Sequence, residues 1–92
     1  MIKNKWSFYK KRGFDLRVPS KVNIKDYETV YQVYADTRNQ AAVIWATAPK
    51  SEDPELKSIP KLEVGDIIKH QRLQEYYIFT PTGVWALVRV IK

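Results

Sequence analysis

The chain has 92 residues and no cysteine, which excludes disulfides, thiolate metal sites and cysteine nucleophiles. Its 45% hydrophobic content fits one globular domain over residues 1–92 and is too high for a disordered chain. The formal net charge of +6 sits wholly in the first 25 residues, where eight cations face one acid, Asp15; from residue 26 onward eight cations meet nine acids. Such asymmetry marks an arm or a face that meets something anionic.

The basic run KNKWSFYKKR, residues 3–12, opens the chain. Two readings fit it. In one, residues 1–13 form a basic arm: Lys3, Lys5, Lys10, Lys11 and Arg12, joined by Arg17 further on, neutralise phosphates, while Trp6, Phe8 or Tyr9 stacks on bases. In the other it is a first strand with Ile2, Trp6 and Phe8 facing in and Lys3, Lys5, Ser7 and Tyr9 facing out. No helical periodicity accompanies the charges, so a membrane-surface anchor is not expected. No apolar run approaches the roughly 20 residues of a membrane span. Lys3, Lys5 and Trp6 interrupt any signal-peptide core, and the expected location is the cytoplasm.

Strand periodicity dominates the rest of the chain. Phe14, Leu16 and Val18 alternate with Asp15 and Arg17 before Pro19, and Val22 and Ile24 alternate with lysines and Asn23. YETVYQVYAD is rich in β-branched and aromatic residues, with Tyr27, Tyr31 and Val33 expected on one side and Glu28, Gln32 and Asp36 on the other. DTRNQ has turn composition, and AAVIWATA after it reads as a buried strand. Residues 49–61 form a Pro-rich acidic loop, with one short helical turn at Glu52–Leu56. Gly65-Asp66 turns into a new strand, RLQE is a hairpin tip, and Pro81-Thr82-Gly83 turns into a last strand. That strand has Val84, Ala86, Val88 and Val90 on one face. Five to seven short strands in so short a chain predict an all-β fold, a small SH3-like or OB-like β-barrel, because an open sheet of this size leaves edges exposed.

No catalytic constellation is visible, so the chain reads as no enzyme. His70 is the one histidine, Ser7, Ser20, Ser51 and Ser58 lack a nucleophile-elbow context, and the three glycines never cluster into a phosphate loop. No metal and no cofactor are expected. Glu52, Asp53 and Glu55 read as a solvated acidic surface.

Two stretches resemble the head–tail joining (head-closure or stopper) proteins of tailed phages. In VIWATAPKSEDPE the matching positions are Trp45, Ala46, Pro49 and Glu52; in GDIIKHQRLQEYYIFTPTGVWALVRVIK they are Gly65, Asp66, Tyr76 and Ile78. Together they cover under half of the chain. The basic opening departs from that family's Arg-rich first strand, and the segment between the two stretches is short. The resemblance implies a non-enzymatic subunit of a viral particle, built into a homo-oligomeric ring in the virion and assembled in the host cytoplasm. It would touch protein neighbours through the arm and the loop of Pro49, Glu52, Asp53 and Glu55, with the arm facing DNA or an acidic subunit. The other reading is a small nucleic-acid-binding barrel that uses the same basic and aromatic residues.

Overall fold

Alternation in residues 4–11 builds an eight-residue strand, β1 (Asn4–Lys11). The computed structural model describes residues 3–12 and 21–92. After β1 come β2 (Lys21–Asn23), a 3₁₀ turn (Ile24–Asp26) and β3 (Tyr27–Ala35). Helix α1 (Arg38–Thr47) continues into a 3₁₀ turn (Ala48–Lys50), and the short helix α2 (Pro54–Lys57) comes next. The strands β4 (Ile67–His70), β5 (Glu75–Phe79) and β6 (Trp85–Ile91) complete the chain. The strand expected over residues 14–18 lies outside the described residues.

The six strands form one mixed sheet in the order β2-β6-β5-β4-β1-β3. Every pairing is antiparallel except β2 with β6. The expected SH3-like or OB-like barrel is not what forms. β2 and β3 are the two outer strands and share no ladder, so the sheet is open, and a helix packs on one face, making the fold α/β. The barrel expectation fails at residues 37–48. DTRNQ is a helix start: the Thr37 hydroxyl accepts from the Gln40 amide, and the Gln40 side-chain oxygen accepts from the Asp36 amide. AAVIWATA is the helix itself, and Ala41, Trp45 and Ala48, spaced four and then three residues apart, are its buried positions.

Residues opposite one another across a ladder share a face. On the α1 face, Trp6, Phe8, Val33, Ala35, Ile68 and Trp85 pack with Ala41, Trp45 and Ile59. Phe8 stacks on Trp45 with centroids 4.7 Å apart. The indole N–H groups are satisfied too: Trp45 donates to the Pro60 carbonyl at 2.9 Å and Trp6 to the Ala35 carbonyl at 3.0 Å. On the opposite face a second core gathers Val22, Tyr27, Ile67, Tyr76, Ile78 and Val88. A flat sheet would hold its outer strands about 24 Å apart. Only the three residues Ile24–Asp26 join β2 to β3, so the sheet curls over this second core.

The alternation expected in β3 is broken once. Phe8 pairs with Tyr31 and Tyr9 with Thr29, which leaves Val30 as an extra residue. The bulge swaps faces: Tyr31 and Val33 lie on the α1 side, whereas Tyr27 joins the second core. The turn at 81–83 falls where the composition placed it, and those at 64–65 and 71–74 lie one residue ahead of the expected Gly65-Asp66 and RLQE, Glu75 being the first residue of β5. Among the described residues no helix is long and apolar enough to cross a membrane.

Trp45→Ala removes the ring that roofs the main core and is expected to cost about 3–5 kcal/mol, a large part of the stability of a domain this size. Thr37→Ala is expected to cost about 1 kcal/mol. Urea unfolding followed by tryptophan fluorescence checks the Thr37 variant, and circular dichroism the Trp45 variant.

Candidate functional site

Period two splits the basic run of β1 between the two faces. Lys10 points to the α1 side and is consumed inside the fold. Its Nζ donates to the Lys61 carbonyl and Glu63 Oε1 at 2.8 Å each and to Asp66 Oδ2 at 2.9 Å. Asp66 is fully buried and also accepts from the backbone amides of Lys11 (3.0 Å) and Glu63 (2.7 Å). Gly65, with a positive φ of 95°, forms the turn ahead of it, and the Gly65 carbonyl accepts from the Tyr27 hydroxyl at 2.6 Å. Partial burial works against the Lys10 charge, but the bonds and charges of Glu63 and Asp66 outweigh it and raise its pKa. Burial pushes the Asp66 carboxyl up against the pull of its bonds to Lys11, Lys10 and Glu63, because this partner carries the desolvation cost. Lys10 is therefore a clasp between β1 and the 61–66 turn rather than a contact residue.

Trp6 and Phe8 are likewise unavailable for stacking: they are 4% and 0% exposed under α1. Trp6 also meets His70 edge-on at 4.6 Å, and His70 Nδ1 accepts from the Leu73 amide at the hairpin tip. Lys3 and Arg12 are exposed at the two ends of β1, and Arg17 lies outside the described residues. The expected partner loop is partly folded. Pro49 is exposed in the 3₁₀ turn, Glu52 is exposed, Asp53 caps α2 by accepting from the Glu55 amide, and Glu55 lies in that helix's first turn. Burial, then the charges of Glu55 and Asp53, push the Tyr31 hydroxyl up, which places this acidic hook beside β3.

Among the described strand positions, the face away from α1 carries one sign of charge. The ladders put Lys5 and Lys11 of β1 and Lys69 of β4 on it. Among the described residues, no strand position there is a carboxylate: Glu28 and Glu75 both point to the α1 side, opposite Lys10 and His70. Four tyrosines share this face, Tyr9, Tyr27, Tyr34 and Tyr76. Lys69 Nζ lies 5.2 Å above the Tyr76 ring, and the Tyr9 and Tyr76 rings are 6.3 Å apart. Tyr34 is the exposed ring, at 65%. Ser7 is buried between Gln32 and Gln71, whose amides both donate to its hydroxyl. Lys5 and Lys11 lie about 20 Å apart along the strand, the length of about six stacked nucleotides, with the buried Ser7 and the half-buried Tyr9 between them. At its far end Lys11, Arg12 and Lys21 line a cleft of about 240 Å³ with one acid, Asp26.

Comparison with protein-family models, with curated proteins and with solved structures finds no match. The basic run is visible in the sequence, but nothing in the sequence joins Lys69 and Tyr34 to it. Their link is the strand register, which brings them to Lys5 and Ser7 from distant parts of the chain.

The clasp sets an alkaline limit on stability. Burial, with Asp66 and Asp26 nearby, pushes the Tyr27 hydroxyl up to about 12. Above pH 10 the unfolded chain ionises this tyrosine while the folded one resists, so stability falls between pH 10 and about 12, by about 2–3 kcal/mol. Lys10 acts in the same direction: its contribution is complete below 10.5 and lost above its raised pKa. Asp66 adds no acid lability, because protonation relieves a burial cost. Urea titrations from pH 7 to pH 11.5 are expected to show this decline, with a shallower slope in Tyr27→Phe. Lys10→Met leaves Asp66 buried without its ion partner and is expected to cost about 3 kcal/mol at neutral pH.

Proposed function

We propose that this protein is a non-enzymatic binding module that takes single-stranded nucleic acid on the sheet face opposite α1. The observation that carries the reading is the charge of that face: Lys5, Lys11 and Lys69 with no carboxylate in the described strands among them. Cations spaced along a strand follow a phosphate backbone, and an exposed tyrosine beside them, Tyr34, offers a ring for an unpaired base. A single strand suits the surface better than a duplex. Reading the major groove needs a helix or a two-stranded ribbon that projects, and none stands out from this face among the described residues.

The reading keeps the expectation of a basic nucleic-acid contact but moves it. Lys5, Lys11 and Arg12 stay in it, Lys69 and Tyr34 enter, and Trp6, Phe8 and Lys10 leave because they are spent inside the fold. Both readings of the sequence are attached to a barrel, and the open sheet corrects that part of each.

Fluorescence anisotropy with a labelled oligothymidylate tests the proposal. Binding is expected at low salt, with a log–log salt slope of about −2 to −3, matching three or four phosphates. Lys5→Ala, Lys11→Ala and Lys69→Ala are each expected to flatten that slope by about 0.7 while leaving the fold intact. Tyr34→Ala is expected to cost about 1–3 kcal/mol with little change in slope. No binding at low salt, or a triple lysine variant that binds like the parent, overturns the reading.

A further inference from the structure

The two edges of the sheet are treated differently. One is guarded: β2 is three residues long, begins with Lys21, and has Arg89 beside it on β6. Short length and cations are the usual means of keeping an edge from pairing with another chain. The other edge, β3, is nine residues long. At about 3.4 Å per residue it runs about 30 Å, close to the 33 Å longest dimension of the molecule. Among the described residues it pairs only with β1. It contains no lysine, arginine or proline, and its one charge, Glu28, lies next to its start. The bulge at Val30 disturbs the first part, which leaves Tyr31–Ala35 regular, uncharged and rich in aromatic and β-branched residues.

An apolar groove continues this edge. It holds about 480 Å³ and is lined by Tyr34 and Ala35 of β3, Val43 and Ile44 of α1, and Lys3 and Asp36 at its margins. Tyr34 and Val43 are among the most exposed large hydrophobic residues, at 65% and 58%. The marginal charges are one of each sign, so the groove is neutral on a chain of net charge +6.

We propose that the β3 edge is a self-association seam, at which a second copy of this chain pairs antiparallel along Tyr31–Ala35 and seats against Val43. Charge selects the second copy over an acidic partner: the seam has no excess cation to attract one, Glu55 and Asp53 beside Tyr31 repel it, and the strand positions Tyr31–Ala35 carry no charge of their own. Symmetry agrees, because antiparallel pairing of one strand with its own copy is the isologous contact of a two-fold dimer. The pairing also removes the liability at a stroke. The fused sheet has two outer strands, and both are the guarded β2. A two-fold axis perpendicular to the sheet puts both α1 helices on one side and both cationic faces on the other.

Light scattering during size-exclusion chromatography, without nucleic acid, tests this. Across about 1 μM to 1 mM the mass is expected to rise from the 10.8 kDa chain toward twice that value. Tyr34→Lys and Val43→Lys change exposed side chains, so circular dichroism is expected to match the parent. Each is expected to weaken the dimer about tenfold or more, by placing like charges across the seam. Leu87→Lys, an exposed position on β6 near the guarded edge, is expected to leave the mass profile unchanged. A chain that stays at 10.8 kDa throughout overturns the proposal. So does a dimer indifferent to Tyr34→Lys and Val43→Lys, or one lost in Leu87→Lys. Because no oligonucleotide is present, these outcomes are separate from the fate of the nucleic-acid reading.

Discussion

Three residues, Ile24–Asp26, tie the two outer strands of one sheet together. A six-stranded sheet prefers its edges far apart, and this link forbids it. The sheet bends until β2 and β3 come within the reach of that turn, and the bend creates an inside. Val22, Tyr27, Ile67, Ile78 and Val88 fill it. The backbone amide of Arg12 donates to the Asp26 carbonyl at 2.8 Å and pins the end of β1 to the same corner. The curl stops short of closure because no ladder forms between β2 and β3. One helix then suffices to cover the outer apolar face, with Trp45 stacked on Phe8 at its centre.

The same bend sorts the lysines. Along β1 the backbone alternates, so neighbours in one basic run have opposite fates. Lys10 goes to the helix side and meets the buried Asp66, where it closes the 61–66 turn onto the strand. Lys5 and Lys11 go to the other side, toward the two ends of the strand and flanking Tyr9, which packs against the second core; there the register adds Lys69 and no acid from the described strands. An ion pair that joins two segments and a one-signed surface that repels itself thus come from adjacent residues. The first stabilises the fold. The second is the feature on which the proposed nucleic-acid reading rests.

Much of the strand framework is legible from alternation and turn chemistry. The turn before Asp66, the 71–74 tip and Pro81-Thr82-Gly83 fall within one residue of where their composition puts them, because such turns are set by local backbone preference. Trp6 and Phe8 also take the inward side of the period-two reading. The helix overturns the strand expected at AAVIWATA, although its signals are present: Thr37 with Gln40 three residues on has the capping-box pattern, and Ala41, Trp45 and Ala48 keep a helical spacing. Val43, Ile44 and Trp45 favour strands by propensity, and that local preference gives way to the fit of Trp45 against Phe8. The bulge at Val30 leaves no sequence mark, because an extra residue in one strand is defined only by its partner.

By itself the sequence determined where the chain turns, which side of β1 is apolar, and that positive charge is concentrated at its start, since these depend on neighbours within a few residues. Tertiary structure alone decided which lysine is spent and which is displayed, that the sheet stays open, and that Tyr34 and Lys69 share a face with Lys5. Those outcomes rest on strand order and register, which bring residues far apart in the chain into contact and so belong to the fold as a whole.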